Sequence, residues 1–88
     1  MMSDLYTLNP SRIVMYTMDY CGDCKRAKAF FEVNQIAYLK VGLEDDEEGV
    51  KFVKTVNNGY CTVPTIIFPN GSILVEPSLE ELQAKFSK

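Results

Sequence analysis

The stretch that decides the fold is Tyr20-Cys21-Gly22-Asp23-Cys24, in which two residues separate a pair of cysteines. The segment before it, Ile13–Thr17, is rich in β-branched and aromatic side chains, which favours a short strand. The segment after it, Gly22–Asn34, carries apolar side chains at helical spacing, which favours an amphipathic helix. The cysteine pair is therefore predicted to lie at a turn between a strand and a helix.

This placement gives the two thiols a redox chemistry. With the helix beginning at Gly22, Cys21 lies at its cap and Cys24 in its first turn, so that their Cβ atoms are about 5–6 Å apart. That separation allows a disulfide with little backbone movement. The unpaired N–H groups of the first turn face the Cys21 sulfur and favour the reactive thiolate. A CxxC pair beside a βαβ pattern is typical of an intracellular redox protein.

Half of a zinc knuckle is the main alternative interpretation of the cysteine pair. A structural zinc site takes about four nitrogen or sulfur ligands. The chain has three cysteines and no histidine, which disfavours a closed zinc site.

Composition narrows the function classes. The chain has 88 residues, 47% of them apolar, which is enough for one domain with a small core. Its net charge of −3 disfavours nucleic acid as a partner. Residues 1–12 lack the apolar core of a signal peptide, and no apolar run approaches the ~18 residues of a membrane span. An odd number of cysteines disfavours a secreted disulfide scaffold. We expect a cytoplasmic monomer that contacts neither nucleic acid nor membrane.

The rest of the chain continues the alternation of strands and helices after a lead-in, residues 1–11, that is predicted to be loose. Asn70-Gly71 predicts a hairpin turn between the last two strands. The order β-α-β-α-β-β-α predicts a three-layer α/β/α fold with a four-stranded mixed sheet, since the first two strands form a parallel βαβ unit. The later elements are predicted at Ile36–Val41 (strand), Glu47–Val56 (helix), Val63–Phe68 (strand), Ile73–Val75 (strand) and a helix after Ser78.

The last helix has a clear start signal. Ser78 followed by Glu81 predicts a capping box. Leu79, Leu82 and Phe86 recur at helical spacing, and they are predicted to face the core.

The chain resembles the glutaredoxins, a family of small oxidoreductases with the thioredoxin fold. The resemblance covers most of residues 12–87, and its motifs come in the family's order. Val56-Asn57-Asn58-Gly59, followed by Thr62-Val63-Pro64 and Pro77-Ser78, resembles the mycoredoxin-type branch found in bacteria. The motifs shared with the whole family are Tyr16-Thr17, Tyr20-Cys21-Gly22-Asp23-Cys24, Thr62-Val63-Pro64 and Asn70-Gly71.

The resemblance implies catalytic roles for the CxxC pair and a nearby loop. Cys21 is expected to be the nucleophile and Cys24 the resolving thiol. Pro64 is expected to be cis, which would bring Thr62 and Val63 beside Cys21. The backbone of Val63 would then pair with an incoming cysteine as a short added strand.

Two further residues complete the expected site, and a third cysteine lies next to it in the sequence. By the same resemblance, Tyr20 would form one wall, and Lys51 would lie near a substrate carboxylate. Cys61 precedes the Thr62-Val63-Pro64 loop without a basic neighbour, so we expect it to be a small, partly buried hydrophobe that remains a free thiol.

The implied function is that of a dithiol thiol–disulfide oxidoreductase that reduces mixed or protein disulfides, with no tightly bound cofactor. Glutathione, mycothiol, bacillithiol or a thioredoxin reductase would reset the cysteine pair. Gly22-Asp23 replaces the Pro-Tyr that glutaredoxins typically carry inside the CxxC. Val75-Glu76 and Leu79 stand where glutathione-binding members carry a Gly-Gly pair and an Asp. A [2Fe–2S] cluster protein, or a dedicated electron donor to ribonucleotide reductase or a peroxiredoxin, is the alternative.

Overall fold

The computed structural model describes residues 4–19 and 21–87. In this part of the chain, the strands and helices follow one another in the predicted order. The predicted bounds of the helix Glu47–Val56 and of the last strand are confirmed. The elements are β1 (Val14–Thr17), α1 (Gly22–Val33), β2 (Leu39–Gly42), α2 (Glu47–Val56), β3 (Thr65–Ile67), β4 (Ile73–Val75) and α3 (Leu79–Phe86).

The sheet is mixed, with the strand order β2-β1-β3-β4. Strand β1 runs parallel to β2 and antiparallel to β3, and β4 returns antiparallel to β3 through the Asn70-Gly71 turn. In that turn Gly71 has a φ of +88°, a conformation that glycine adopts without steric cost. Strand β1 is therefore central, and its carboxyl end leads directly into the cysteine stretch.

Two apolar clusters fill the space on the two faces of the sheet, as the alternation of side chains along β1 requires. Val14 and Tyr16 pack on the side of α2, whereas Met15 packs on the side of α1 and α3. All four residues of β1 are buried, since this strand is covered on both faces. The predicted three-layer α/β/α architecture with a four-stranded mixed sheet is confirmed.

Several predicted ends were too long. Strand β2 begins at Leu39 rather than Ile36, because Gln35 has a φ of 55° and the Ile36 N–H bonds to the carbonyl of Phe31 at 2.8 Å. Those residues close helix α1 instead of pairing in the sheet. Helix α1 itself ends at Val33, and Asn34 is its C-cap.

Strand β3 is likewise shorter than the predicted Val63–Phe68. At its end, the Phe68 N–H bonds to the Ser72 carbonyl and so belongs to the hairpin connection. At its start, Val63 and Pro64 form a loop. The strand that remains is Thr65–Ile67.

The capping box at the start of α3 is confirmed, but one predicted core residue is not in the core. Ser78 and Glu81 exchange side-chain to backbone hydrogen bonds of 2.9 and 3.1 Å. Leu82 is fully buried, whereas Leu79 is 47% exposed. As the first residue of α3, Leu79 lies over the groove between α1 and α3 rather than over the sheet.

The segment expected to be a loose lead-in is attached to the domain over residues 4–11; residues 1–3 lie outside the described residues. The Tyr6 N–H donates to the Tyr16 hydroxyl at 2.8 Å, and the Tyr6 hydroxyl donates to the Asp46 carboxylate at 2.8 and 2.9 Å. Asp46 is also the N-cap of α2. Tyr6 therefore links the N-terminal segment to the central strand and to the start of α2.

Replacing Tyr6 with phenylalanine is expected to lower the free energy of unfolding at neutral pH by about 1 kcal/mol, because the bond to Asp46 is lost. The same bond raises the pKa of Tyr6 from 10.0 to about 12. The folded state therefore favours the neutral phenol, and this stabilisation is complete below pH 10 and is lost as the pH rises through about 12. Urea unfolding at pH 7 and at about pH 11 measures both effects.

Tyr60→Phe is the matched control, since Tyr60 is 72% exposed and its hydroxyl makes no hydrogen bond with the described residues. Equal stabilities of the two variants at neutral pH would contradict the assigned role of Tyr6.

Candidate active site

Cys21 caps the N-terminus of α1 with its sulfur. Its backbone is extended, with φ −89° and ψ 120°, and its Sγ accepts the Cys24 N–H at 3.3 Å. A thiol thus occupies the place that a serine or aspartate oxygen takes at most N-caps. The positive end of the helix dipole favours an anion at this position. The Cys21 sulfur is half-buried, so a substrate can reach it.

Cys24 lies one turn further along α1 and is fully buried. Burial raises the pKa of its thiol, and a hydrogen bond from the Thr17 hydroxyl offsets part of this effect. The two cysteines therefore differ in access: Cys21 is partly exposed to solvent, whereas Cys24 is fully shielded. The structure holds both as free thiols.

Two carboxylates near the cysteine pair have local partners. Asp23 forms an ion pair with Arg26 across one helical turn, with an N–O distance of 2.9 Å. On the neighbouring loop, the Glu44 carboxylate accepts the Asp19 N–H at 2.6 Å. The second contact ties the acidic loop after β2 to the segment that precedes the CxxC.

The loop at 62–64 lies across from Cys21, as the sequence predicted from the family resemblance. The Val63–Pro64 peptide bond is cis. The Val63 carbonyl oxygen is 3.7 Å from the Cys21 sulfur. The Thr62 carbonyl is engaged by the Thr65 hydroxyl at 2.7 Å. The fold thus brings together residues from two places in the chain, about forty positions apart.

Lys51 is not joined to this centre by any hydrogen bond or ion pair among the described residues. Lys51 is exposed on α2, beside a groove whose other wall is the acidic loop 43–46, and its ammonium group makes no ion pair with the described residues. Tyr20 lies outside the described residues. Cys61 is half-buried and packs against the core cluster that contains Tyr16 and Val53.

Two residues next to the site were missed by sequence reasoning. Asn57 was interpreted only as part of a motif shared with the mycoredoxin-type branch, and Thr65 only as a strand residue. In the structure, the Asn57 amide donates to the Thr65 hydroxyl at 3.0 Å. A threonine at a strand position that is buried on both sides was the available signal, because a buried hydroxyl needs a partner.

Comparison with known proteins identifies the family. The glutaredoxin family model matches residues 13–73. The chain belongs to the glutaredoxin family. A protein of Mycobacterium tuberculosis that is assigned to the glutaredoxins is 42% identical over 76 residues, which cover 86% of this chain and 90% of that protein. Mycoredoxin 1 of Corynebacterium glutamicum is 29% identical over 75 residues, covering 85% of this chain and 92% of its own length.

Solved structures agree on the fold. The glutaredoxin of Archaeoglobus fulgidus superimposes with a TM-score of 0.72 at 21% identity, covering 94% of each chain. Family and fold together make this glutaredoxin a thiol–disulfide oxidoreductase, and its relatives confirm the resemblance to the mycoredoxin-type branch. Within the described residues, no helix is both long and apolar enough to cross a membrane.

Proposed function

We propose that this glutaredoxin works by a dithiol mechanism in which Cys21 is the nucleophile and Cys24 the resolving thiol. The observation that carries the proposal is the 3.3 Å contact between the Cys21 sulfur and the Cys24 N–H, with Cys24 itself buried one turn below. An accessible thiol at a helix N-terminus is suited to attack, and a shielded thiol beside it is suited to resolve the product.

The first step forms a mixed disulfide. The Cys21 thiolate attacks one sulfur of the substrate disulfide, the substrate S–S bond breaks, and the leaving thiolate takes a proton from water. In the second step the Cys24 thiol loses its proton and attacks the Cys21 sulfur, which releases the second substrate thiol and closes the Cys21–Cys24 disulfide. Because burial raises the pKa of Cys24, this second step should accelerate as the pH rises.

The substrate is proposed to bind along the 62–64 loop. The Val63 carbonyl faces the Cys21 sulfur, and the Val63 N–H bonds to no group among the described residues. A substrate cysteine can use both groups by adding a short antiparallel segment. Tyr20 is proposed as one wall of this site. Lys51 is proposed to attract a substrate carboxylate, since an exposed ammonium group on α2 is free to do so.

Two molecules of a low-molecular-weight thiol are proposed to return the Cys21–Cys24 disulfide to the dithiol: the first forms a mixed disulfide with the protein, and the second attacks it and leaves with the first as their own disulfide. Likeness to a mycoredoxin favours mycothiol over glutathione and bacillithiol. The oxidised protein should be offered each of these thiols, and a thioredoxin reductase with NADPH, with the rate of disulfide loss measured. Reduction by the reductase alone would select the dedicated-donor alternative. A brown anaerobic preparation would select the [2Fe–2S] alternative.

The proposed enzyme is a cytoplasmic monomer that acts on thiolated or disulfide-containing proteins.

Replacing Cys24 with serine tests the assignment of the two thiols. The variant is expected to keep the reduction of low-molecular-weight mixed disulfides and to lose that of protein disulfides, because only the second needs an internal resolving thiol. Mass spectrometry after mixing with a protein disulfide should find the substrate trapped on Cys21. Equal loss of both activities would contradict the assigned roles.

A further inference from the structure

A short chain of hydrogen bonds joins the end of helix α2 to the loop that faces Cys21. The Asn57 amide nitrogen donates to the Thr65 hydroxyl at 3.0 Å, and that hydroxyl donates to the Thr62 carbonyl at 2.7 Å. Thr65 is fully buried in the sheet, and Asn57 is the C-cap of α2. The Thr65 hydroxyl therefore both accepts and donates, which fixes its orientation.

A second contact holds the other side of the same loop. The Glu76 N–H, just after β4, donates to the Pro64 carbonyl at 2.9 Å. The carbonyls before and after Val63 are thus both engaged by the protein. The backbone groups of Val63 itself are different. Its carbonyl oxygen lies 3.7 Å from the Cys21 sulfur, and its N–H has no partner among the described residues.

The hydroxyl of Thr65 is not needed for the strand itself. Valine has nearly the same shape and an equally high strand propensity, so packing in the sheet would be satisfied by either residue. A valine at this position would, however, leave the Asn57 amide and the Thr62 carbonyl without their partner. The polar pair is therefore best explained by what it fixes, which is the position of the loop.

We propose that Thr65 and Asn57 are positioning residues that hold the 62–64 loop so that the Val63 backbone meets the substrate disulfide in line with Cys21. The inference rests on the proposed function and adds two residues that act on substrate binding without touching the reacting sulfurs. Loss of the hydroxyl should loosen the loop and weaken substrate capture, while the CxxC pair keeps its own geometry on α1.

The test compares Thr65→Val with Thr65→Ser. Turnover of a glutathione or mycothiol mixed disulfide is measured, together with the rate at which iodoacetamide alkylates Cys21, a reaction that does not use the loop. Thr65→Val is expected to raise KM about tenfold, the equivalent of one hydrogen bond, with kcat within about twofold and alkylation unchanged. Thr65→Ser, which keeps the hydroxyl, should have a KM close to that of the wild-type protein.

Thr55→Val is the matched control, because its exposed hydroxyl bonds only within α2, to the Lys51 carbonyl at 2.9 Å. Asn57→Ala removes the other end of the hydrogen-bond chain. It tests the proposal even if Thr65→Val does not fold. As a single substitution, Asn57→Ala should raise KM about threefold. In the double variant with Thr65→Val it should cause no further increase, because the two residues act through the same hydrogen bonds.

An unchanged KM in Asn57→Ala, or in a folded Thr65→Val variant, would overturn the proposal. Equal falls in turnover and in Cys21 alkylation would also overturn it, since they would indicate a general structural role. Failure of the proposed function is recognised separately, by a wild-type protein that is alkylated at Cys21 but turns over no mixed disulfide.

Discussion

Replacing Cys21 with serine is expected to lower the turnover of both mixed and protein disulfides by about a thousandfold or more, the scale seen when a nucleophile is removed. Serine can still accept the Cys24 N–H and cap α1, so the fold should be kept. An alcohol at neutral pH does not attack a disulfide, because the reaction requires a thiolate. A coupled assay of thiol release, run beside a thermal melt, measures activity and stability together.

Cys61→Ala is the control for that experiment. Cys61 packs against the core cluster on the α2 side and makes no hydrogen bond with the described residues. The Cys61→Ala variant should retain nearly full turnover. Mass spectrometry of the oxidised wild-type protein should find one disulfide, Cys21–Cys24, with Cys61 free. Substantial activity left in Cys21→Ser, or a Cys61 disulfide, would contradict the assignment.

Replacing Phe31 with alanine should give the largest loss of stability, about 3–5 kcal/mol. Phe31 is fully buried on α1, and its ring lies 4.9 Å from that of Tyr38 and 5.7 Å from that of Phe86, measured between centroids. Its removal opens a cavity in the core cluster that also contains Met15, Ile66 and Leu82. Because small domains are stable by only about 5–15 kcal/mol, the loss is a large share of the total. Urea unfolding monitored by circular dichroism measures it.

Val33→Ala on the same helix is the control, since Val33 is 79% exposed and its truncation should change the free energy of unfolding by less than about 0.5 kcal/mol. A similar effect for the two substitutions would mean that the cluster around Phe31 collapses to fill the space.

The order of the elements could be predicted because it is encoded locally. Apolar spacing in Gly22–Asn34 and the Asn70-Gly71 turn each determine a local structure, and the rule for βαβ units then determines the sheet. Ends were less predictable, because they depend on hydrogen bonds such as the one between the Ile36 N–H and Phe31, which the pattern of side chains does not encode. Leu79 has a core-like spacing, yet the groove between α1 and α3 leaves it open.

The candidate site could be predicted only in part for a similar reason. Cys21 and Cys24 are adjacent in sequence, so their geometry follows from one helix. The bond between Asn57 and Thr65 joins two elements. The buried strand position of Thr65 indicates that its hydroxyl has a partner, but neither segment alone indicates that the partner is Asn57. Tyr6 was overlooked because a polar-flanked segment at the start of a chain has no periodicity, although its hydroxyl reaches Asp46 forty residues away.

Burial of Cys24 also bears on how the protein meets peroxides. A peroxide that reaches the half-buried Cys21 sulfur converts it to a sulfenic acid, which further peroxide would turn into an irreversible sulfinic acid. A thiol one helical turn below can condense with the sulfenic acid and release water, and the product is the reversible disulfide. Full burial keeps Cys24 itself out of reach of the oxidant. On the proposed roles, the same shielding that reserves Cys24 for resolution also preserves the enzyme from permanent oxidative loss.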